Sequence, residues 1–322
     1  MWLLARSRVA ILSAVALLCW LAPAVAQSWP SRTITLVAAF PPNTTTDYGA
    51  RTIAQELSKV LGSSVIVETR AGGGGVLASQ AVAKAPADGY TLLMTTIGPA
   101  VLRPLLEQGL AYDPVGDFTP IVLVGEAPNV IVAGTQSRFA SIRGIVDYAK
   151  QNPGKLTIGH PGIGTMGHLV ALLFCAEAGI EANLISYQGA PAIITDVAGG
   201  HIDIGALAYG VGADAVKTLA VTTRARVDFL PDVPTMGEVG YPNVVATTWS
   251  AIYAPARLPP AIVDKLNATI NAFLVSPDIR KHFAAVGYHA LGGPPQRLTA
   301  QMAEDHAKWS KVIAAAKLAG NR

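Results

Sequence analysis

Two cysteines are too few for a disulfide framework, and Cys19 falls in an N-terminal segment read below as a signal peptide. Cys175 then stands alone, so no internal disulfide holds the mature chain. It sits beside Leu172-Leu173-Phe174, where a thiol acts as a small buried hydrophobe rather than a nucleophile. Charge is scarce as well, at 14% of residues. Removing Arg6 and Arg8 with the signal leaves 22 basic and 21 acidic residues, a formal charge of +1. That balance excludes the electrostatic footprint of a nucleic-acid or membrane-surface binder. The six histidines are scattered without zinc-ligand spacing. No G-x-S-x-G nucleophile elbow occurs, and the few acids near the loops form no pair. Nothing points to catalysis, and no cofactor or metal is expected.

The first thirty residues address the compartment. Arg6 and Arg8 form a positive start, Val9 to Leu21 is apolar and uncharged, and Ala24-Val25-Ala26 after Pro23 offers the small-x-small pattern of a signal peptidase site. The apolar run is short for a membrane span. Cys19 follows Ala16-Leu17-Leu18, without the small residue that precedes a lipidated cysteine. Residues 1–26 are therefore expected to be a signal peptide cleaved after Ala26, which sends the chain to the periplasm. The remaining 296 residues are too many for one typical core and suit two lobes.

Strand and helix signals alternate along this remainder. Thr33 to Ala38, Val65 to Val67 and Tyr90 to Thr95 read as strands. A helix starting near Thr46 or Asp47, with Ile53, Leu57 and Leu61 on one face, separates the first two. Gly72 to Gly75 leads into a helix ending near Lys84. That pitch argues for a parallel sheet covered on both faces. Ile121 to Val124 and Val130 to Val132 flank Pro128-Asn129, which reads as a chain crossing between lobes. A second α/β unit follows, with helices over Ser141–Gln151, Thr165–Ala178 and Ala190–Val197, and strands at Leu156–Ile158, Leu184–Ser186, Ile202–Ile204 and Leu219–Val221. The C-terminal part is helical, with Pro259-Pro260 and Pro277 opening two helices and a last one from Leu298 to about Leu318.

Two loops concentrate polar groups where a strand hands over to a helix, the place where open α/β sheets bind ligands and helix starts favour anions. Phe40-Pro41-Pro42-Asn43-Thr44-Thr45-Thr46-Asp47 places five polar side chains in a row, whereas a helix cap needs one. Gly162-Ile163-Gly164-Thr165-Met166-Gly167 matches the G-x-G-x-x-G dinucleotide pattern and precedes His168. The next strand ends at Tyr187-Gln188, without the acid that would hold a ribose, so a carboxylate is expected there rather than a pyrophosphate.

These loops resemble those of the Bug (TctC-like) receptors of tripartite tricarboxylate transporters. So do Trp29-Pro30-Ser31-Arg32, Gly72 to Gly75, Asp88-Gly89-Tyr90-Thr91-Leu92-Leu93, Tyr112-Asp113-Pro114 with Asp117-Phe118, Leu230 to Thr235, and Trp249 with Ala254-Pro255. The resemblance spans essentially the whole mature chain. It implies a type II periplasmic binding fold, two Rossmann-like α/β lobes joined by crossing strands. The expected division is residues 27–124 with 247–322 in lobe 1 and 125–246 in lobe 2.

The resemblance also implies that a small carboxylate is held by main-chain N–H groups and hydroxyls between the lobes and delivered to membrane transporter subunits. The ligand-binding residues expected on it are Asn43, Thr44, Thr45, Thr46 and Asp47 in one lobe and Gly164, Thr165, Met166 and His168 in the other. Thr96, Ile97 and Gln188 are secondary contributors. Two departures stand out. Asn43-Thr44 replaces a glycine pair usual in the family, and the segment Gly205 to Asp214 is glycine-rich and short, with Tyr209 expected to fill the gap. A monomer is expected. An exported enzyme acting on a carboxylated substrate, or a ligand-sensing partner of a signalling protein, are the competing readings.

Overall fold

The computed structural model describes residues 29–315. The signal peptide expected over residues 1–26 lies outside the described residues, as does the stretch to Leu318 expected to end the last helix. The first sheet is built from β1 (Ile34–Ala38), β2 (Val65–Thr69), β3 (Thr91–Thr96), β9 (Thr247–Pro255), the first part of β4 (Phe118–Gly134), and the short β10 (His289–Ala290). β1 pairs in parallel with β2 and β3, whereas β9 runs antiparallel between β3 and β4. The second sheet joins the rest of β4 to β5 (Leu156–His160), β6 (Ala182–Ser186), β7 (Ile204–Ala208) and β8 (Val216–Val221). There β5 pairs in parallel with β6 and β7, and β4 is antiparallel to β7 and β8.

β4 is thus common to both sheets, and it changes partner at Pro128–Asn129. Pro128 is opposite Thr247 of β9, and Asn129 is opposite Ala208 of β7. A proline has no N–H to give a ladder, so a point where one partner ends and another begins suits it. The sequence suggests two short strands around that dipeptide; the structure has one continuous strand of 17 residues. It also holds β9, which the hydropathy pattern leaves unread because Thr247-Thr248-Trp249-Ser250 shows no clean alternation.

Helices cover the sheets. α1 (Thr45–Leu61), α2 (Val76–Ala83) and the single turn α3 (Arg103–Leu106) accompany the first sheet. α4 (Ile142–Gln151), α5 (Met166–Ala178) and α6 (Ala190–Ala198) accompany the second. α7 (Pro260–Leu274), α8 (Pro277–Ala284) and α9 (Pro295–Ala315) return to the first. Each of these last three begins with proline, whose fixed φ and missing N–H cost nothing at the first helical position. α1 and α5 end at Gly62 and Gly179, both left-handed, the backbone conformation that glycine adopts without a Cβ penalty.

α1 buries Ile53, Ala54 and Leu57 against the first sheet, where Ile34, Leu36, Leu92 and Met94 are also sealed from solvent. Each such Leu or Ile contributes about 1.5–3 kcal/mol relative to exposure. α9 is tied to β9 by the indole N–H of Trp249, which donates to Asp305 at 2.8 Å. Cys175 on α5 is partly buried, and desolvation pushes its thiol up to about 12, so it carries no thiolate near neutrality. Among the described residues no helix is long and apolar enough to cross a membrane.

Candidate functional site

A cavity of about 60 Å³ opens at the carboxyl ends of the parallel strands. Phe40 follows β1, Thr96 ends β3, Pro161 follows β5 and Ala208 ends β7, and all four line it. Both helix starts singled out from sequence face it. At α1, Thr44 is the N-cap: its hydroxyl accepts from the Asp47 N–H at 3.1 Å and donates to the Pro41 carbonyl at 3.0 Å. The Asp47 carboxylate reaches back to accept from the Asn43 N–H at 3.3 Å, and it pairs with Arg51 at 2.9 Å. This reciprocal cap holds Asn43 at φ 65°, a conformation that asparagine tolerates better than most residues.

Capping occupies Thr44 and Asp47 and leaves the next two threonines free. Thr45 and Thr46, only 8% and 5% exposed, line the cavity. Their hydroxyls take no hydrogen-bond partner from the described residues. Neither hydroxyl oxygen is sealed from solvent, so each opens on the cavity, where a ligand or a water can pair with it.

The start of α5 is built differently. Thr165 is its N-cap, accepting from the His168 N–H at 3.4 Å and donating to the Gly162 carbonyl at 2.7 Å. Gly162 and Gly164 have φ +127° and +76°, values a side chain would strain. The Gly164 N–H donates to Nδ1 of His168 at 3.4 Å, and the His168 ring lies 4.5 Å from that of His160. Burial lowers both imidazoles well below their ordinary range, His168 to about 3 and His160 to about 4, so the pair is neutral near pH 7. Neighbouring His160 and Arg103 add to the lowering at His168.

Arg103 of α3 is the clasp behind this loop. It donates to the carbonyl of Ile163 at 2.7 Å and of Gly73 at 3.3 Å, and it pairs with Glu107 at 2.5 Å. It therefore bridges segments that accompany different sheets. The cleft is shut elsewhere by glycines. A Cβ built on Gly74 would stand 2.6 Å from the Ile163 oxygen, and one on Gly189 2.6 Å from Pro41. One on Gly98 would stand 3.1 Å from the Gly164 oxygen, and one on Gly210 2.5 Å from the Thr45 methyl.

The floor of the cavity is the strand crossing itself. Asn129 of β4, fully buried, donates from its side-chain amide to the Thr248 hydroxyl of β9 at 2.9 Å. Along the remaining wall lie Met166 and Gly167 of α5, Ala190 and Ile194 of α6, and Gly210 and Val211 after β7. None of the lining residues carries a charged side chain. Among the described residues no cluster of three or more His, Cys, Asp or Glu could hold a metal ion.

Of the residues expected from sequence, Asn43, Thr44, Thr45, Thr46, Thr96, Thr165 and Met166 line the cavity together. Six do not. Asp47 is turned to its cap and Arg51, and His168 to Gly164 and His160. Gly164 packs against Arg103, and Ile97 is buried in the core. Gln188 points outward in an exposed turn. Tyr209 stacks on Phe229 at 5.1 Å and lies over Gly287, while its neighbours Ala208 and Gly210 reach the cavity instead. Sequence reasoning missed Asn129, Thr248, Ala190, Ile194 and Val211. The available signal was Asn129, a polar residue inside an otherwise apolar run.

The family model "Tripartite tricarboxylate transporter family receptor" matches residues 49–318. A protein encoded in the tcbD–tcbE intergenic region of Pseudomonas sp. (strain P51) is 35% identical over 301 residues, covering 92% of this chain and 89% of the relative. Among solved structures, R. palustris Rpa4515 with adipate superposes with a TM-score of 0.86 at 34% identity, covering 90% of this chain and 98% of that one. MatC (Rpa3494) from Rhodopseudomonas palustris with bound malate gives a TM-score of 0.84 at 29% identity, covering 88% and 100%.

Proposed function

The chain belongs to the tripartite tricarboxylate transporter receptor family, a family of periplasmic solute-binding proteins, and from that premise we propose that it captures a small carboxylate in the cavity between its two sheets and delivers it to membrane transporter subunits. The observation that carries this reading is the pair Thr45 and Thr46, more than nine-tenths buried at a helix start, with hydroxyls that take no protein partner. A carboxylate supplies acceptors to such hydroxyls and to the exposed N–H groups of two helix starts, whose partial positive charge favours an anion. Adipate in Rpa4515 and malate in MatC, both carboxylates, support the ligand class. The lobes on this reading are residues 27–124 with 247–322, and 125–246. The site of action is the periplasm, reached after cleavage behind Ala26.

The protein acts by binding and catalyses no reaction. The hydroxyls, two side-chain amides and apolar groups around the cavity combine no nucleophile with a base. Thermal-shift screening of the mature protein against a carboxylate panel tests the proposal. The expected result is saturable stabilisation by one class of carboxylate, with the ligand recovered unchanged. No response to any carboxylate, or conversion of the ligand to product, refutes it. Replacing Thr45 and Thr46 together by valine is expected to weaken binding by about tenfold or more at nearly unchanged Tm. Unchanged affinity in that variant would move the site elsewhere.

A further inference from the structure

The cavity floor is formed where the chain crosses between the sheets, and each crossing strand gives it one polar side chain, Asn129 from β4 and Thr248 from β9. Side chains alternate along a strand, and Trp249, next to Thr248, turns to the opposite face, where its indole binds Asp305. The Asn129 side chain has a single protein partner. Its Nδ2 lies 2.9 Å and its Oδ1 3.2 Å from the Thr248 hydroxyl, and it takes no other partner among the described residues. A carboxamide carries two N–H donors and two acceptor lone pairs, whereas one hydroxyl fills at most one of each. One N–H and one lone pair of a fully buried amide are therefore left to whatever occupies the cavity. The group is presented from a fixed backbone, since the Asn129 carbonyl accepts from the Thr222 N–H at 2.9 Å and the residue pairs with Ala208 of β7.

Resting on the receptor reading above, we infer that Asn129 determines specificity and that the ligand is a hydroxycarboxylate, its hydroxyl held by the Asn129 amide. A hydroxyl both donates and accepts, so it matches the spare N–H and the spare lone pair together, whereas a ketone oxygen only accepts. An ammonium is disfavoured there, because two helix starts turn their positive ends to the cavity and no lining residue is acidic. An analogue without the hydroxyl leaves the buried amide unpaired or dependent on a trapped water. That is how a site built around a hydrogen bond rejects a ligand that lacks it.

Isothermal titration calorimetry of the mature protein with matched pairs tests this: propionate against lactate, butyrate against 3-hydroxybutyrate, and succinate against malate. The hydroxylated member of at least one pair is expected to bind about tenfold or more tighter than its partner. Hydroxyl-free members that bind as tightly as their partners throughout overturn the inference and leave the receptor reading standing. If none of these solutes binds, the inference falls, and the wider carboxylate panel decides the receptor reading separately. The double variant Asn129→Leu, Thr248→Val removes both halves of the floor pair, so neither is left alone, and it is expected to fold. In it the ratio within the pair is expected to fall to about one, through loss of the hydroxylated ligand's affinity alone. A purely structural role weakens both members equally and keeps the ratio, an outcome that overturns the inference. Should the variant not fold, the titration of the unaltered protein decides by itself.

Discussion

The two helix starts that face each other across the cavity look alike in sequence, each a short polar loop after a strand, yet they are built on different principles. The α1 start is a side-chain device. Thr44 and Asp47 satisfy the backbone between them, which releases the hydroxyls of Thr45 and Thr46 to the cavity. The α5 start is a backbone device. Glycines at positive φ shape it, Thr165 caps it, and it is held from behind by Arg103 and a neutral histidine pair. Affinity should therefore be lost by removing hydroxyls at the first, and by loosening or wedging the second.

The strongest way to break the contrast is to obstruct the seam without replacing a residue of either start. Gly210 lies against the Thr45 methyl and has no positive φ, so Gly210→Val adds bulk across the cleft with no backbone strain. Calorimetry is expected to register a loss of about a hundredfold or more in affinity, with Tm changed little; a fall in Tm without loss of binding would refute the role of the seam. Next in size is Arg103→Met, which removes charge-assisted donors to the Ile163 and Gly73 carbonyls. It is expected to cost about 1.5–3 kcal/mol in urea unfolding and to weaken binding through disorder of the Ile163 loop, although Arg103 lies outside the cavity.

The smallest effect concerns pH. His160 and His168 have folded values near 4 and 3 against an ordinary 6.5, so protons bind the unfolded chain first as pH falls. Their contribution to stability is fully present above about pH 6.5 and is lost as pH descends toward 4 and then 3. The double variant His160→Gln, His168→Gln is expected to show a shallower fall of Tm between pH 6.5 and pH 4 than the parent. Parallel curves would show that the imidazoles do not titrate in this way.

Much of this architecture was legible because it is local. Thr44 and Thr165 sit directly before apolar periodic runs, and each proves to be an N-cap. The strand–helix alternation likewise gives the parallel parts of both sheets. What remained hidden was set by contacts distant along the chain. Asn129 and Thr248 meet across 119 positions, and nothing in either neighbourhood announces the other. β9 escaped notice because its neighbours on both sides, rather than its own alternation, make it a strand. Asp47 and His168 carry the functional groups a reader expects to face a ligand, yet local backbone N–H groups claim them first. Tyr209 is drawn away by an aromatic partner, Phe229, 20 residues on.

Arg103 does not line the cavity, and its two carbonyl partners, Gly73 and Ile163, accompany different sheets. Any separation of those segments to admit or release a solute must first break both bonds, so their strength bears on a barrier as well as on an affinity. Arg103→Met is therefore expected to speed both capture and release in stopped-flow fluorescence; equal rates in parent and variant would show that the clasp plays no part in filling.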